Sequence, residues 1–597
     1  MSRATRFLDE SINCISLTAG ALRRVNPRLN MSPRIYRSPY PDIDIESVDL
    51  VSYLFSNPFN TPLDRPLYID ATSGKQYTYG DVLQRTRSLA HGLQQTFALR
   101  PDDVVALFSP NTIEYPIVCH SIVGSGAIVA PTSAALTALE LNAQLKTSRA
   151  RFLIVHTSLL GTAQKAAKGT VVEKIILLDG PSLVNGQPTC EYLASTSPSA
   201  PLREIAPAAA PNKTVFICFS SGTSGPSKGV VTTHQNMTSN LQQWRAHMLE
   251  SGQMSQRVDR NTTIAFLPFS HIYGLNLYMC QCLLWGTTVV MLPRFDLDQY
   301  LGCVEKYRPG ELALVPPIAL MIVKDPRVSK YDLRSVKRIM SAAAPLTNEL
   351  SAALEAKFKE LYQTQVFCTQ SWGLTETSPM ATAVPNDRMD KRESGVGCIT
   401  HNMEFRFVDP ETMTDAATKS DGSTEPAEIW CRGPNVTRGY YNNEDATKGA
   451  FHTEPDGTRW FRTGDIGVID KDGFIAIQDR IKEMIKYKGL QVIPSELEGK
   501  LVDHPDIADA GVVGMWVDEM ATELPVAFVV LSRQAKSREA KDVINGIHAW
   551  LNPKVANHKR LRGGIHVLNQ IPKSPSGKIL RRQLKDLLKS KRPKSQL

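Results

Sequence analysis

The sequence predicts an α/β fold in two parts, a large N-terminal domain of packed sheets and helices and a smaller α+β domain behind it. Three observations carry this. From Val48 onward, short β-rich apolar runs alternate with stretches of helical periodicity, the pattern of sheets covered by helices. The pattern restarts after Asp479. The chain has 597 residues, and at about 150 residues per domain that length favours more than one core.

The elements follow in chain order. Residues 1–35 read as a disordered extension: Arg3, Arg6, Arg23, Arg24 and Arg28 suit a mitochondrial presequence, but Asp9 and Glu10 argue against one. Thr214–Phe219 reads as a buried strand running into a Gly/Ser/Thr loop. Leu350, Leu354, Phe358 and Leu361 recur at helical spacing behind an N-cap at Thr347. Lys471-Asp472-Gly473 between Val468–Asp470 and Phe474–Gln478 is a hairpin signal. The second part reads as a helix from Ser495, strands at Ala508–Trp516 and Pro525–Leu531, a helix at Ala540–Leu551 and a strand at Gly564–Leu568. The boundary falls near Asp479–Lys482, dividing the chain into 36–480, 481–590 and a tail, 591–597.

Composition narrows the function. Hydrophobic residues at 42% and charged residues at 21% exclude a largely disordered or collagen-like chain. The net charge of +9 would suit an anionic partner, but it is local: Pro572–Leu597 holds nine basic residues against Asp586 alone. A general nucleic-acid surface is therefore not expected. The ten cysteines are scattered, without a zinc-type pair of C-x-x-C clusters. The apolar stretch Met279–Leu292 is shorter than the ~20 residues a membrane span needs.

The strongest local signal is Phe219-Ser220-Ser221-Gly222-Thr223-Ser224-Gly225-Pro226-Ser227-Lys228-Gly229. Small hydroxyl residues and glycines leave backbone N–H groups accessible, and a lysine adds charge, so the loop suits polyphosphate. It is not a P-loop, because Lys228 follows Ser227 rather than Gly. Further segments follow in order. They are Leu267-Pro-Phe-Ser-His271-Ile272-Tyr273-Gly274, Ser341-Ala342-Ala343-Ala344-Pro345-Leu346, Gln370-Ser371-Trp372-Gly373-Leu374-Thr375-Glu376-Thr377 and Trp460-Phe-Arg-Thr463-Gly464-Asp465. Asp479-Arg480-Ile-Lys482-Glu-Met-Ile-Lys486-Tyr-Lys488-Gly489-Leu-Gln491 and Pro572-Lys-Ser-Pro-Ser-Gly577-Lys578 complete the series.

In this order, from about Tyr36 to Lys589, the set resembles the adenylate-forming superfamily of acyl-CoA synthetases, peptide-synthetase adenylation domains and beetle luciferases. The nearest likeness is to 4-coumarate–CoA ligase-type enzymes. The resemblance implies an ATP-dependent ligase that joins a carboxylic acid to AMP and then to CoA, with Mg²⁺ as cofactor and a small, mobile C-terminal domain. It implies that Ser220, Ser221, Gly222, Thr223, Ser224 and Lys228 hold the β- and γ-phosphates, Thr375 the α-phosphate and Glu376 the metal. Asp465 and Arg480 match the ribose-binding positions, Ala343 and Trp372 the adenine site, and Gln491 the second domain's nucleotide-facing side. His271, Lys578 and Lys486 match catalytic positions, with Lys578 bridging the carboxylate and the α-phosphate.

Arg294, Lys488 and Gly489 match positions that meet CoA, and Lys482 matches the hinge. Ile272, Tyr273, Leu277, Met340, Ser371, Pro379 and Met380 would line the acyl pocket. Leu277 and Ser371 depart from the hydroxycinnamate enzymes, so an aryl acid and a medium-chain aliphatic acid both remain open. Amino-acid adenylation and a luciferase-like oxygenase stand as alternatives, although His271 sits where amino-acid enzymes usually place an Asp. Ser595-Gln596-Leu597 resembles the peroxisomal Ser-Lys-Leu address with one substitution, which would engage an import receptor.

Overall fold

The computed structural model describes residues 33–180, 182–184, 187–220, 227–250, 262–488, 490–520, 522–574 and 577–591. Of the sequence expectations, residues 1–32, Ser221, Gly222, Thr223, Ser224, Gly489, the Gln491 side chain and the terminal tripeptide lie outside what is described. The described residues from Ile35 onward form one compact unit.

The α/β expectation holds. A six-stranded sheet orders Lys228–Thr233, Thr214–Ser220, Ile128–Ser133, Val104–Ser109, Phe152–Val155 and Lys174–Leu177, parallel except at its Lys228–Thr233 edge. Val104–Ser109 is buried along its whole length, as a strand covered on both faces must be. A second sheet joins Glu311–Leu314, Arg338–Ser341 and Phe367–Gly373 in parallel, then turns antiparallel through Met380–Ala383 and Cys398–Ile399. The third, antiparallel, pairs Glu404–Val408 with Ala427–Arg432, and Arg459–Ile469 with Ile475–Arg480.

Local signals act where the sequence placed them. The helix Asn348–Tyr362 starts at Thr347, whose Oγ1 accepts from the Leu350 N–H at 3.2 Å. Gly473, at φ +85°, closes the hairpin between Ile469 and Ile475. The C-terminal lobe has its own apolar core, centred on Val512, Val529, Leu497 and Ile547. Its sheet joins Ile507–Val517, Thr522–Leu531 and Ile565–Val567, flanked by the helices Pro494–Val502 and Ala540–Leu551. The nine described cysteines are free and buried, and among the described residues no helix is long and apolar enough to cross a membrane.

Candidate active site

The sheets end at a cavity of about 3240 Å³. One wall comes from the strand ends of the large lobe and the other from the C-terminal lobe. Ser220, Lys228, His271, Ala343, Ser371 and Trp372 line it, and so do Thr375, Glu376, Asp465, Arg480, Lys482 and Lys578. Residues separated by more than 350 positions thus share one chamber.

Asp465 is a cavity carboxylate held from two sides. It is buried and faces Arg480 in register across two antiparallel strands. Arg480 Nε lies 2.9 Å from its Oδ1, and the Trp372 indole N–H donates to its Oδ2 at 2.9 Å. The same tryptophan therefore presents a ring to the cavity while its polar edge orients Asp465. Asp465 Oδ1, beside the guanidinium, completes no aligned hydrogen bond and retains acceptor capacity.

Glu376 is buried in a single turn of 3₁₀ helix. The Tyr440 hydroxyl donates to its Oε1 at 3.1 Å, and Lys228 Nζ sits 4.7 Å from the centre of that tyrosine ring. Burial and the carboxylate push the Tyr440 hydroxyl well above its ordinary pKa, so it remains a donor. No motif pointed to Tyr440; it reaches the site from a separate loop, and only the fold reveals it. Among the described residues no group of three or more acidic, His or Cys side chains could hold a metal. A single buried carboxylate, Glu376, fits Mg²⁺, which keeps most of its waters.

His271 accepts at Nδ1 from the Tyr273 N–H at 3.2 Å, which leaves the ring proton on Nε2. Desolvation, and next the nearby Lys578 charge, push its pKa down to about 4. It stays a neutral donor. Lys578 comes from the turn before the helix Arg581–Lys591, where its N–H donates to Ser574 Oγ at 3.1 Å. Desolvation, and next Arg480, lower its pKa to about 8 against the pull of Asp465 and Glu376. The turn is seated by Arg581, whose Nη1 lies 2.6 Å from Glu498 Oε1 and whose Nε lies 2.9 Å from Glu483 Oε2.

Other expected residues lie elsewhere. Lys486 and Lys488 are exposed outside the cavity, and their backbone N–H groups donate to Glu523 and Thr522 at 2.8 and 2.6 Å. Arg294 is exposed and away from the cavity wall. Ile272 packs into the main core. Met340, Met380, Tyr273 and Leu277 form an apolar cluster with Trp244, Met248 and Trp285 and do not line this cavity. The Trp244 and Trp285 rings stack 6.5 Å apart at 18°. Pro379 belongs to a segment held by buried amides: Asn240 donates to the Met380 carbonyl at 2.8 Å and Asn276 to the Ser378 carbonyl at 2.9 Å. Trp244 lies on the helix His234–Glu250, where no motif marked it.

This arrangement, with an acid and a guanidinium paired beside an aromatic face and a desolvated lysine facing a neutral histidine, suits a nucleotide and a carboxylate. Comparison with known proteins agrees. Residues 55–441 match the model of the AMP-binding enzymes and residues 496–578 that of the AMP-binding enzyme C-terminal domain. The chain belongs to this family, the AMP-forming acid–thiol ligases.

Among its relatives, the probable 4-coumarate–CoA ligase 2 of Dictyostelium discoideum is 35% identical, the match covering 92% of this chain and 97% of that one. The peroxisomal OPC-8:0-CoA ligase 1 of Arabidopsis thaliana is 33% identical over 93% and 95%. The crystal structure of ATP-bound MatB from Rhodopseudomonas palustris shares the fold at a TM-score of 0.76 and 23% identity, over 91% of this chain and 99% of that one. The anthranilate CoA ligase AuaEII, in complex with anthranoyl-AMP, does so at 0.76 and 21%, over 91% and 98%.

Proposed function

We propose that the protein activates an aryl or medium-chain aliphatic carboxylic acid with ATP and transfers the acyl group to CoA. The observation that carries the reading is Lys578, desolvated and facing His271 and the Asp465–Arg480 pair in one cavity. In the first step a carboxylate oxygen attacks the α-phosphorus and pyrophosphate leaves. Lys578 bridges the carboxylate and the α-phosphate as charge builds there, and Thr375 donates to the same phosphate. The His271 Nε2–H orients the acid. Asp465 and Arg480 take the ribose hydroxyls, Trp372 and Ala343 flank the adenine, and Ser220–Lys228 grips the outer phosphates. Mg²⁺, held through Glu376, would neutralise phosphate charge.

In the second step the CoA thiol attacks the acyl carbon and AMP leaves. Lys486, Lys488, Gly489, Gln491 and Arg294 are assigned to this state, reached by rotation of the C-terminal lobe about Lys482 from a division near residue 480. The exposure of Lys486 and Lys488 outside the cavity supports two working positions of that lobe.

The acyl group would enter the apolar cluster at Tyr273, Leu277, Met340 and Met380. One relative above is named a probable 4-coumarate–CoA ligase, which supports the aryl acid. A peroxisomal address, read by an import receptor, is supported by Ser595-Gln596-Leu597 and by the relative named peroxisomal. A panel of aryl and aliphatic acids assayed for CoA-dependent AMP release tests the function. AMP release with amino acids and without CoA dependence would overturn it.

A further inference from the structure

The helix Pro316–Lys324 of the large lobe touches the C-terminal lobe at both of its ends. At the N-terminal end, the Pro317 ring lies 3.2 Å from where a Cβ on Gly577 would stand. Gly577 also holds φ +82°, so only glycine allows this approach next to Lys578. At the other end, Lys324 Nζ donates to the Val502 carbonyl at 3.2 Å and to the Ile507 carbonyl at 2.8 Å. Val502 ends the helix Pro494–Val502, so its carbonyl is one that the helix leaves without a partner. A cation there also meets the negative end of the helix dipole.

The contact continues to the catalytic turn. Ile507 opens the strand that carries Asp509. Lys573 Nζ lies 2.7 Å from Asp509 Oδ2, and Lys573 bridges to Ile579, enclosing Lys578 between them. Removing Lys324 would remove both of its hydrogen bonds to the C-terminal lobe.

We propose that Lys324 is a latch that holds the C-terminal lobe over the cavity, a positioning residue acting through Lys578. The inference rests on the reading that Lys578 serves adenylate formation. Desolvation lowers the Lys324 pKa, opposed by Asp503 and Asp509; the cation is held by carbonyls and acids of the lobe it fastens.

Hydrogen exchange of the full-length, ligand-free protein tests the latch without any assumption about the acid. In Lys324→Met the amides of Ser574, Gly577, Lys578 and Leu580 should exchange about tenfold faster, and Lys324→Arg should restore them. Unchanged exchange, or acceleration spread evenly over the chain, overturns the latch. Pyrophosphate release with ATP and 4-coumarate or octanoate should fall about tenfold in the Met variant, while CoA transfer from supplied acyl-adenylate is unchanged. Equal loss of both half-reactions overturns it. If wild type uses neither acid, the functional reading loses support and exchange alone decides the latch. If the Met variant fails to fold, Lys324→Gln replaces it, because its amide is one bond shorter than the lysine and falls short of the two carbonyls.

Discussion

Asp465 and Arg480 stand opposite one another on paired antiparallel strands, the guanidinium Nε 2.9 Å from the carboxylate Oδ1. The indole of Trp372 closes the other side of the carboxylate. Asp465→Asn leaves a guanidinium without its counter-ion and removes a strong acceptor. Hydrogen bonds to charged groups contribute about 1.5–3 kcal/mol, so ATP binding should weaken roughly ten- to a hundredfold. Trp372→Phe keeps an aromatic face but loses the N–H and the second ring, while the Asp465–Arg480 pair stays; its loss should be smaller. Calorimetric titration with ATP checks both, and an Asn variant that binds ATP normally refutes the assignment.

Lys578→Ala should abolish adenylate formation and spare thioester formation from supplied acyl-adenylate. The lysine's pKa is lowered to about 8, so the protonated form is lost as pH rises through that value. The kcat/KM for adenylation, which reports the free enzyme, should fall about tenfold for each unit above it. Over the interval from 8 to the ordinary 10.5, the unfolded chain holds a proton that the native lysine has released. Its contribution to folding therefore improves as pH rises through that interval. A rate independent of pH between 7 and 10 would contradict the role.

His271 should contribute no titration near 6.5, because its pKa is pushed down to about 4. The adenylation rate should stay level from pH 7 down to about 5 as far as this group is concerned. His271→Ala should lower the rate without changing the shape of that limb. An acid limb near 6.5 in wild type that disappears in the variant would show a histidine that works charged.

Ala343 holds φ +73°, a left-handed backbone that costs an L-residue roughly 1–2 kcal/mol. Ala343→Gly relieves it at an entropic cost of about 0.5–1 kcal/mol, for a net change between zero and a gain of about 1.5 kcal/mol. Ala343→Val should destabilise by more than 1 kcal/mol. Urea unfolding of the large lobe compares the three, and a Gly variant less stable than wild type rejects the strain.

Trp244 belongs to the apolar cluster with Tyr273, Leu277, Met340 and Met380, the proposed place of the acyl group. Trp244→Ala should cost about 3–5 kcal/mol and widen the range of acids accepted, seen as a lower KM for longer acids. An unchanged acid profile in folded Trp244→Ala would exclude it as a wall of the acyl pocket.

Much of this was legible in the residues themselves. Thr347 starts its helix through a local hydrogen bond, and Gly473 closes a hairpin through its backbone freedom. The strand Thr214–Ser220 is specified by its apolar run. Such signals act within a few residues of chain, and ordered motifs such as His271, Glu376, Asp465 and Lys578 carry their spacing with them. The cavity that collects these four was not legible, since it depends on strands and loops that meet only when the sheets pack.

Tyr440 beneath Lys228, Trp244 behind Tyr273 and Lys324 on the carbonyls of Val502 and Ile507 have no local signature. Each works through a partner far away in sequence. The sequence by itself determined the α/β class, the order of elements and the chemistry available, because periodicity, capping and motif spacing are short-range properties. Tertiary structure alone decided that Lys486 and Lys488 stand outside the cavity, which tautomer His271 adopts and which side chains pack around Trp244. Those outcomes are set by burial and by long-range contacts, which exist only once the chain has folded.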